Sequence, residues 1–322
     1  MSLPKVSVVI DNYNYGRFIG EAVRSVLDQD YSGELECIVA DDGSTDDSRD
    51  VARSFGSKVK VLEAPNQGQA TAFNRGFAAA SGQIVCLLDS DDYWPPDKVR
   101  RVAERFEDPG VGLVQHMLRD VGLDGRPVPQ RMPGWPEHYT LDDFLDKRID
   151  FTATSGLAFR KSVLDRITPL AKDVFYYLDD LLFGQALFFS KAANIREVLG
   201  VHRMHAANFC AEGYWDPKKL ETDMRCREIF FRELAPYLKR HAKEFTPRFW
   251  RLEEMEYARR RILLDMLQGK RGAAFSEWTA LVAKHGATFK AASCSLALIS
   301  PMLYRKFYQS YSFGLISKLR RP

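Results

Sequence analysis

Short apolar runs alternate with segments of helical periodicity in the N-terminal third of the chain. Val6 to Ile10 form a mainly β-branched run, followed by a turn-rich segment and by apolar residues at helical spacing from Ile19 to Leu27. The order of apolar run, polar loop and helix recurs after LECIVA (35–40), VKVLEA (59–64) and QIVCLL (83–88), which are the second, third and fourth predicted strands. The pattern predicts successive βα units, which build a mostly parallel sheet covered by helices on both faces.

Acidic residues follow two of these predicted strands at the points where the strands end. Asp41 and Asp42 come after the second apolar run, and Asp89 and Asp91 come after the fourth. Right-handed crossovers place all strand-to-helix loops at the carboxyl edge of such a sheet, where ligands bind. We therefore expect the two acidic clusters to meet at one end of the sheet.

Each acidic cluster has two interpretations. DDGSTD (41–46) is either a turn that caps a helix starting near Ser48, or a set of acceptors for a nucleobase and ribose. DSDD (89–92) is either a solvated acidic turn before a helix that starts at Pro95-Pro96, or a site for Mg²⁺ or Mn²⁺, which prefer oxygen ligands. In the second case, Asp92 is expected to orient the loop or the helix that follows.

The pattern loosens after Asp97. It predicts a helix to about Phe106 and, beyond residue 216, mainly helices. The segments between these parts are a strand at 112–121, a Pro/Gly-rich loop at 125–138 that could act as a lid, a helix opened by acids at 176–189 and a strand with a polar exit at 193–205.

Length and composition favour a folded protein with a catalytic domain and an appendage. The chain has 322 residues, of which 45% are hydrophobic and 28% are charged, far from disordered or collagenous compositions. Its five cysteines are odd in number and form no CxxC pair, which argues against a disulfide framework or zinc knuckle and favours a reducing compartment. No signal peptide and no apolar segment of spanning length is visible, so we expect a cytoplasmic protein.

Charge is divided unevenly along the chain. Residues 1–210 carry 24 Lys and Arg against 31 Asp and Glu, whereas residues 211–322 carry 22 against 12. The split predicts an acidic domain over 1–210 and a basic helical region over 211–322, the latter favouring an anionic partner.

The end of the chain is basic and apolar. From Trp278 to Pro322 there are seven Lys or Arg and no acid, interleaved with large apolar residues. Such a stretch can lie on the anionic inner face of a membrane. It can equally pack on the catalytic domain or form a homodimer contact. No nucleic-acid partner is expected, because no recognisable motif for one is present.

Several motifs together resemble a known family. VSVVI...NYN, VADDGSTD and NQGQATAFNRGFAAASGQIVCLLDSDDYW, in this order, resemble the catalytic domain of family 2 glycosyltransferases, whose fold is called GT-A. The resemblance covers residues 4 to 210. It implies an α/β fold of the GT-A (Rossmann-like) type, with a mixed, mostly parallel sheet flanked by helices and a C-terminal, mainly α-helical extension. The nucleotide-sugar half is expected at about 1–110 and the acceptor half at about 111–210.

The resemblance also implies a reaction. It predicts an inverting, divalent-metal-dependent transfer of a sugar from a nucleoside diphosphate-sugar, with UDP-sugar expected, to a hydroxyl of a glycan or lipid-linked acceptor. Mn²⁺ or Mg²⁺ is the expected cofactor.

Individual residues match the family's motifs. Asp89 and Asp91 match the DxD pair at the metal and diphosphate, and His205 in HRMHAAN matches a histidine that can help to hold them. Asp180 is the expected catalytic base, with Asp179 as the alternative because it replaces the glutamate of the family's Glu-Asp pair. The acceptor side is expected at Thr154, Ser155 and Gly156, and the nucleotide-sugar side at Asn14, Asp41, Asp42, Asn66, Gln69, Asn74, Asp89 and Ser90.

Other interpretations have distinct signatures. Acids also belong in the first turn of a helix, and a lone histidine is often structural, so Asp179, Asp180 and His205 gain meaning only from the ordered motifs. The family's usual Pro-Thr is Asp11-Asn12 here.

Other classes of protein would carry other motifs. A dinucleotide-binding dehydrogenase would need GxGxxG after the first strand, and a nucleotidyltransferase would need a Gly-rich basic loop there, but DNYNYGRF contains only Gly16. A non-catalytic module that binds nucleotide or glycan remains the alternative.

Overall fold

The chain is built around one eight-stranded sheet, seen in a computed structural model that describes residues 3–130, 132–205, 216–240, 247–286 and 288–312. The strands are β1 (Val6–Asn12), β2 (Leu35–Asp41), β3 (Val59–Glu63), β4 (Ile84–Asp89), β5 (Val111–Gly122), β6 (His138–Tyr139), β7 (Leu157–Arg160) and β8 (Lys191–Met204). Their order across the sheet is β3-β2-β1-β4-β7-β5-β8-β6.

Some features expected from the sequence lie outside the described residues. They are the domain boundary at Cys210, the last three residues of HRMHAAN (206–208), Arg131 of the Pro/Gly-rich loop and the last ten residues of the basic tail.

The helices follow the predicted order. Those of the N-terminal part are α1 (Gly16–Leu27), α2 (Ser48–Arg53), α3 (Gln69–Ala79), α4 (Lys98–Arg105), α5 (Leu141–Leu145), α6 (Lys161–Ile167) and α7 (Leu178–Leu187). Those that follow are α8 (Pro217–Arg240), α9 (Pro247–Leu267), α10 (Arg271–His285), α11 (Phe289–Ile299) and α12 (Pro301–Ser312).

The mixed, mostly parallel sheet predicted from the sequence is confirmed. β1 pairs in parallel with both β2 and β4, and β2 pairs in parallel with β3. The second half differs, because β7 is inserted antiparallel between β4 and β5, while β8 returns parallel to β5. The short β6 runs antiparallel to β8 at the edge.

Strand alternation decides which side chains of β1 face which helix layer. Val8 and Ile10 belong to the buried cluster that includes Ile19 of α1. Val9 faces the other way, toward α3, where a Cβ on Gly76 would lie 2.2 Å from Val9 Cγ1. Successive side chains of a strand point to opposite faces. Asp11 and Asn12, the two polar residues that end β1, therefore also point to opposite layers.

Contacts divide the described chain into two compact units. Unit 1 comprises 3–130, 132–144, 148–205 and 229–240, and unit 2 comprises 145–147, 216–228, 247–286 and 288–312. Unit 2 has a core of its own, which includes Leu220, Ile262, Leu263, Cys294 and Tyr304. Within the described residues, no helix combines the length and apolar character needed to span a bilayer.

Candidate active site

The ends of β1 and β4 bring two carboxyl groups together at the carboxyl edge of the sheet. Asp11 and Asp89 are partners in the parallel register of the two strands. Gln69, the first residue of α3, donates from Nε2 to Asp11 Oδ2 at 2.9 Å and to Asp89 Oδ1 at 3.4 Å. Asp11 Oδ1 is buried without an N–H or O–H donor among the described residues. The motifs marked Asp11 only as a departure from Pro-Thr, so its place beside Asp89 follows from the strand register.

Burial is the main cause that raises the pKa of both carboxyl groups. Burial raises the pKa of Asp11 to about 6, although hydrogen bonds with Asp89 and Gln69 act in the opposite direction. Burial also raises the pKa of Asp89 well above its usual value, and the charges of Asp11, Asp92 and Asp91 raise it further. Clustered carboxylates ionise together readily only when a cation lies between them. This edge of the sheet therefore suits a cationic ligand.

The carboxylate of Asp91 contacts a different neighbour, the imidazole of His205. Asp91 Oδ2 lies 2.9 Å from His205 Nε2, and Asp91 is only 6% exposed. The His205 ring stacks on Phe18 at a centroid distance of 5.6 Å and lies 5.8 Å from the ring of Tyr15. The fold thus brings together two of the three predicted metal ligands, although they are 114 residues apart in the sequence.

The side chains at this edge fit a hard divalent cation. They offer carboxylate oxygens and one imidazole nitrogen, which suit Mg²⁺ or Mn²⁺. In the part of the chain that the structure describes, no three His, Cys, Asp or Glu side chains form a preformed metal cage. Mg²⁺ is often held by one or two carboxylates together with substrate phosphates, so a preformed cage is not required. Joint ligation by Asp89, Asp91 and His205 remains a prediction.

Asp92 fixes the loop that carries Asp89 and Asp91. Ser155 Oγ donates to Asp92 Oδ2 at 2.6 Å and accepts from the backbone N–H of Asp89 at 3.0 Å. The backbone N–H of Arg203 donates to Asp92 Oδ1 at 2.9 Å. Burial, followed by the charge of Asp91, raises the pKa of Asp92 to about 7. Asp92 has the orienting position that the sequence suggested, and Ser155 links the predicted acceptor segment directly to the DSDD loop.

The predicted acceptor segment is a buried turn. Thr154–Gly156 form one turn of 3₁₀-helix directly before β7. A Cβ at Gly156 would lie 2.5 Å from Thr152 Oγ1 and 2.9 Å from the carbonyl oxygen of His116, so this position requires glycine. Ser90 is also buried, with 2% exposure. We infer that the turn contributes its shape, while its role toward the acceptor stays a prediction.

The carboxylate of Asp41 is fully buried and rich in hydrogen bonds. It accepts from Asn12 Nδ2 at 2.7 Å and from Ser44 Oγ at 2.5 Å. The backbone N–H groups of Gly43 and Ser44 donate to it at 3.1 and 2.9 Å. Gly43 has φ +79°, and a Cβ there would lie 2.6 Å from the backbone nitrogen of Asn66. The turn part of the first interpretation of DDGSTD is therefore present, with Asp41 stabilising the loop after β2, whereas Asp47 at the N-cap of α2 makes no side-chain capping hydrogen bond.

Asp42 connects this loop to the start of α3. It accepts from the backbone N–H of Gln67 at 3.1 Å and of Gly68 at 2.7 Å, and from Arg75 at 3.2 Å. Arg75 also donates to the carbonyl oxygen of Asp41 at 3.0 Å. Since Gln69 follows directly, Asp42 helps to place the side chain that bridges Asp11 and Asp89.

The remaining predicted donor-side asparagines have different surroundings. Asn14 is exposed with φ 59°, and its Oδ1 accepts from the backbone N–H of Thr45 at 2.7 Å. Asn66 is exposed. Asn74 exchanges two hydrogen bonds of 2.8 Å with the backbone of Leu170, which ties α3 to the segment after α6. A donor contact through these three residues remains a prediction.

Asp179 and Asp180 open α7, as the helical pattern predicts. The backbone N–H of Asp180 donates to Asp179 Oδ1 at 3.0 Å, and both residues are half-buried. The preceding Tyr177 has φ 56° and ends the loop in a left-handed conformation. Burial raises the pKa of Asp179, while backbone hydrogen bonds and the charge of His202 act in the opposite direction.

His202 and Arg203 connect the acidic groups, and neither was among the site residues predicted from the sequence. His202 Nδ1 lies 2.9 Å from Asp120 Oδ1. Burial lowers the pKa of His202, but the hydrogen bond to Asp120 and the charge of Asp92 outweigh burial and raise it. Arg203 donates to the carbonyl oxygen of Asp91 at 2.7 Å. The only sequence signal for both residues is their place in the HRMHAAN segment.

The chain is similar to proteins of one family. The family model described as glycosyl transferase family 2 matches residues 7–168. An uncharacterised glycosyltransferase of a Nostoc species is 36% identical over 63% of this chain and 66% of its own length. The succinoglycan biosynthesis protein ExoO of Rhizobium meliloti is 30% identical over 51% of this chain and 48% of its own length. The chain thus spans less than two thirds of either relative.

Solved structures share the fold. TarS (residues 1–349) of S. aureus, in complex with UDP-GlcNAc, has a TM-score of 0.56 at 19% identity and covers 88% of this chain and 93% of that chain. The mannosyltransferase PcManGT from Pyrobaculum calidifontis, in complex with GDP-Man and Mn²⁺, has a TM-score of 0.58 at 20% identity and covers 98% and 86%. At these identities the likeness concerns the fold alone. It confirms the predicted GT-A class with a helical C-terminal part.

Proposed function

Because this chain belongs to glycosyl transferase family 2, we propose that it is an inverting glycosyltransferase that uses a nucleoside diphosphate-sugar. A UDP-sugar is the first donor to consider, and a hydroxyl of a glycan or lipid-linked molecule is the acceptor. The observation that carries the proposal is the cluster of Asp11, Asp89, Asp91 and Asp92 at the carboxyl edge of the sheet, where burial raises the pKa of Asp11, Asp89 and Asp92. Such a cluster suits a cation and the diphosphate that it accompanies.

The acidic loop is proposed to hold the diphosphate end of the donor. Asp89, Asp91 and His205 would hold Mn²⁺ or Mg²⁺, which when bound neutralises charge on the leaving diphosphate. The chain prepares this end in advance, since Asp92 and its partner Ser155 keep the loop in one conformation. Preorganised groups of this kind need no rearrangement as charge develops in the transition state.

The loop after β2 is proposed to form the nucleotide side. Asp41 is saturated with hydrogen bonds, so it shapes the loop, while Asp42 orients the first residues of α3. The donor-side residues that we propose are Asn14, Asp41, Asp42, Asn66, Gln69, Asn74, Asp89 and Ser90.

Asp180 is proposed as the catalytic base, with Asp179 as the alternative. Both residues lie in the first turn of α7, and Asp180 takes the place of the second member of the family's Glu-Asp pair. Its carboxylate would accept the proton of the acceptor hydroxyl while the new C–O bond forms. The bond to the diphosphate breaks on the opposite face of the sugar, which inverts the anomeric carbon. Thr154–Gly156 would border the acceptor.

The reaction is proposed to take place in the cytoplasm, close to where polysaccharides or lipid-linked glycans are assembled. ExoO, a relative, is a succinoglycan biosynthesis protein, which supports a role in polysaccharide biosynthesis. A homodimer is compatible with the proposal but is not needed for it.

Ligand-dependent thermal stability tests the donor assignment. We expect one nucleoside diphosphate to raise the melting temperature of the full chain only together with Mn²⁺ or Mg²⁺, because a ligand that binds the folded state alone stabilises it. No shift with any nucleoside diphosphate, with or without metal, would overturn the proposed donor site.

Variants test the reaction itself. Asp180→Asn should retain the metal-dependent shift while transfer falls by about 10²- to 10⁴-fold. Asp142→Asn, an exposed acid in the first turn of α5, is the matched control and should be unaffected. If both Asp180→Asn and Asp179→Asn transfer sugar at the normal rate, the base assignment is wrong. Donor binding without transfer by the unmodified chain to any tested glycan would favour the non-catalytic binding module.

A further inference from the structure

The junction of α11 and α12 presents large apolar side chains to solvent. Ile299 is 69% exposed, Met302 is 68% exposed and Leu303 is 49% exposed. The three residues lie within five positions of one another, on either side of Ser300 and Pro301, where one helix ends and the next begins. We call residues 299–303 the apolar corner.

The apolar corner belongs to helices that are anchored in unit 2 by their other face. Cys294, Ala297 and Tyr304 are each 1% exposed and are part of the core of unit 2. Arg259 of α9 donates to the hydroxyl of Tyr304 at 3.0 Å. The sequence left open whether the apolar residues of the basic tail pack inward or face a membrane. The structure divides these residues into two sets. Cys294, Ala297 and Tyr304 fill the core of unit 2, whereas the apolar corner is exposed.

The charge of the surrounding sequence indicates what the apolar corner contacts. Trp278 to Pro322 contains seven Lys or Arg and no acid, and Arg305 and Lys306 follow the corner directly. A membrane with anionic lipids offers both an apolar interior and negative headgroups. A second copy of the chain, docked through the same surface, would place like charges opposite each other.

We propose that the apolar corner docks unit 2 on a membrane that contains anionic lipids. Ile299, Met302 and Leu303 enter the boundary between headgroups and acyl chains, while Arg305 and Lys306 lie at the level of the phosphates. Interfacial binding of this kind grows with buried apolar area and with attraction to anionic lipid. The proposal goes beyond the transfer reaction and does not depend on it, since lipid binding is measured without donor or acceptor.

Vesicle co-sedimentation of the full chain tests the proposal. Binding is expected to vesicles of mixed phosphatidylcholine and phosphatidylglycerol, to be at least tenfold weaker on pure phosphatidylcholine, and to fall with added salt because screening weakens the attraction to the headgroups. Absence of binding to the mixed vesicles, or equal binding to both kinds, would overturn it.

Matched variants locate the contact. Ile299→Ser/Met302→Ser should lower the partition coefficient by roughly 30- to 100-fold, because about two large apolar side chains no longer enter the lipid. Leu3→Ser/Leu123→Ser removes two apolar side chains of unit 1 that are 51% and 50% exposed and should bind as the unmodified chain does. Circular dichroism checks that both variants are folded.

Two further results would contradict the apolar corner as a lipid contact. One is equal loss of binding in the corner and control variants. The other is a dimer in light scattering that Ile299→Ser/Met302→Ser converts to a monomer without changing lipid binding, since the corner would then be a contact between copies.

Discussion

Two acidic loops leave the carboxyl edge of the same sheet, and they use their carboxylates in different ways. In the loop after β2, Asp41 and Asp42 accept hydrogen bonds from backbone N–H groups, from neutral side chains and from Arg75. In the loop after β4, Asp89 faces Asp11, and the nearby charges of Asp91 and Asp92 add to the repulsion. Similar sequences of aspartates therefore give one loop whose carboxylates accept several hydrogen bonds and one loop whose carboxylates repel one another.

The difference separates a loop that shapes the proposed nucleotide side from a loop that is proposed to bind the cation and diphosphate. A buried carboxylate that accepts several hydrogen bonds stabilises the loop around it. A carboxylate held next to another one disfavours its own ionised form until a proton or cation intervenes. We expect changes in the first loop to affect mainly stability and changes in the second loop to affect mainly ligand binding and catalysis.

The largest effect is expected for Asp91→Asn. Removing a charge that is proposed to hold the metal and diphosphate should lower transfer by about 10³-fold, which corresponds to about 4 kcal/mol of transition-state stabilisation. The unfolding midpoint in urea should change little, because the loss of a charge that repels Asp89 and Asp92 offsets the weakened contact with His205. Steady-state rates and urea titrations measure the two effects. Normal transfer by the variant, or a large loss of stability, would remove the distinction between the loops.

Asp41→Ala should show the opposite profile. It leaves the donors of Asn12, Gly43 and Ser44 without their acceptor, so we expect a loss of about 3 kcal/mol in the free energy of unfolding. Urea denaturation measures the loss, and Asp50→Ala, an exposed acid of α2, serves as the control. If Asp41→Ala is as stable as the control, the hydrogen bonds around Asp41 contribute little.

The acidic cluster of Asp11, Asp89, Asp91 and Asp92 also predicts that the stability of the chain depends on pH. The carboxyl pKa values of Asp11 and Asp92 are raised in the folded chain, to about 6 and about 7, from 3.8. The folded state thus binds protons more tightly than the unfolded state, so the contribution of these groups to stability is present at low pH and declines as the pH rises from about 4 to about 7.

Melting temperatures of the metal-free chain across this range measure the decline. Asp92→Asn should reduce it, because one of the titrating groups is then absent. A melting temperature that depends on pH equally in both proteins would show that other groups dominate.

The smallest effect is expected for Gln69→Ala. Its amide donates to both Asp11 and Asp89, so its loss should cost about 1 kcal/mol of stability near neutral pH. The cost should shrink at lower pH, where a protonated carboxyl can donate to its partner. Gln67→Ala, an exposed neighbour, is the control in denaturation experiments at both pH values.

Apolar spacing along the chain predicts the strands and helices of the first four βα units, the parallel part of the sheet and the edge at which the acidic loops lie. These features depend on local periodicity and on the handedness of βα units, which apolar spacing reveals directly. The acidic pattern after the fourth strand pointed to Asp89 and Asp91, whereas only the resemblance to the family named His205. The structure places Asp91 Oδ2 2.9 Å from His205 Nε2, and their joint role as metal ligands stays a prediction. Helical periodicity also predicted the helix that Asp179 and Asp180 open.

Which of these side chains meet depends on contacts between segments that are distant in the sequence. The partnership of Asp11 with Asp89 requires the register of two strands that are far apart in the chain. The link from Ser155 to Asp92 requires β7 to be inserted antiparallel beside β4. The exposure of Ile299 and Met302, next to the burial of Ala297, depends on how α11 and α12 pack in unit 2. Periodicity gives the face of an element, whereas register and packing depend on residues distant in sequence, so no local pattern contains them.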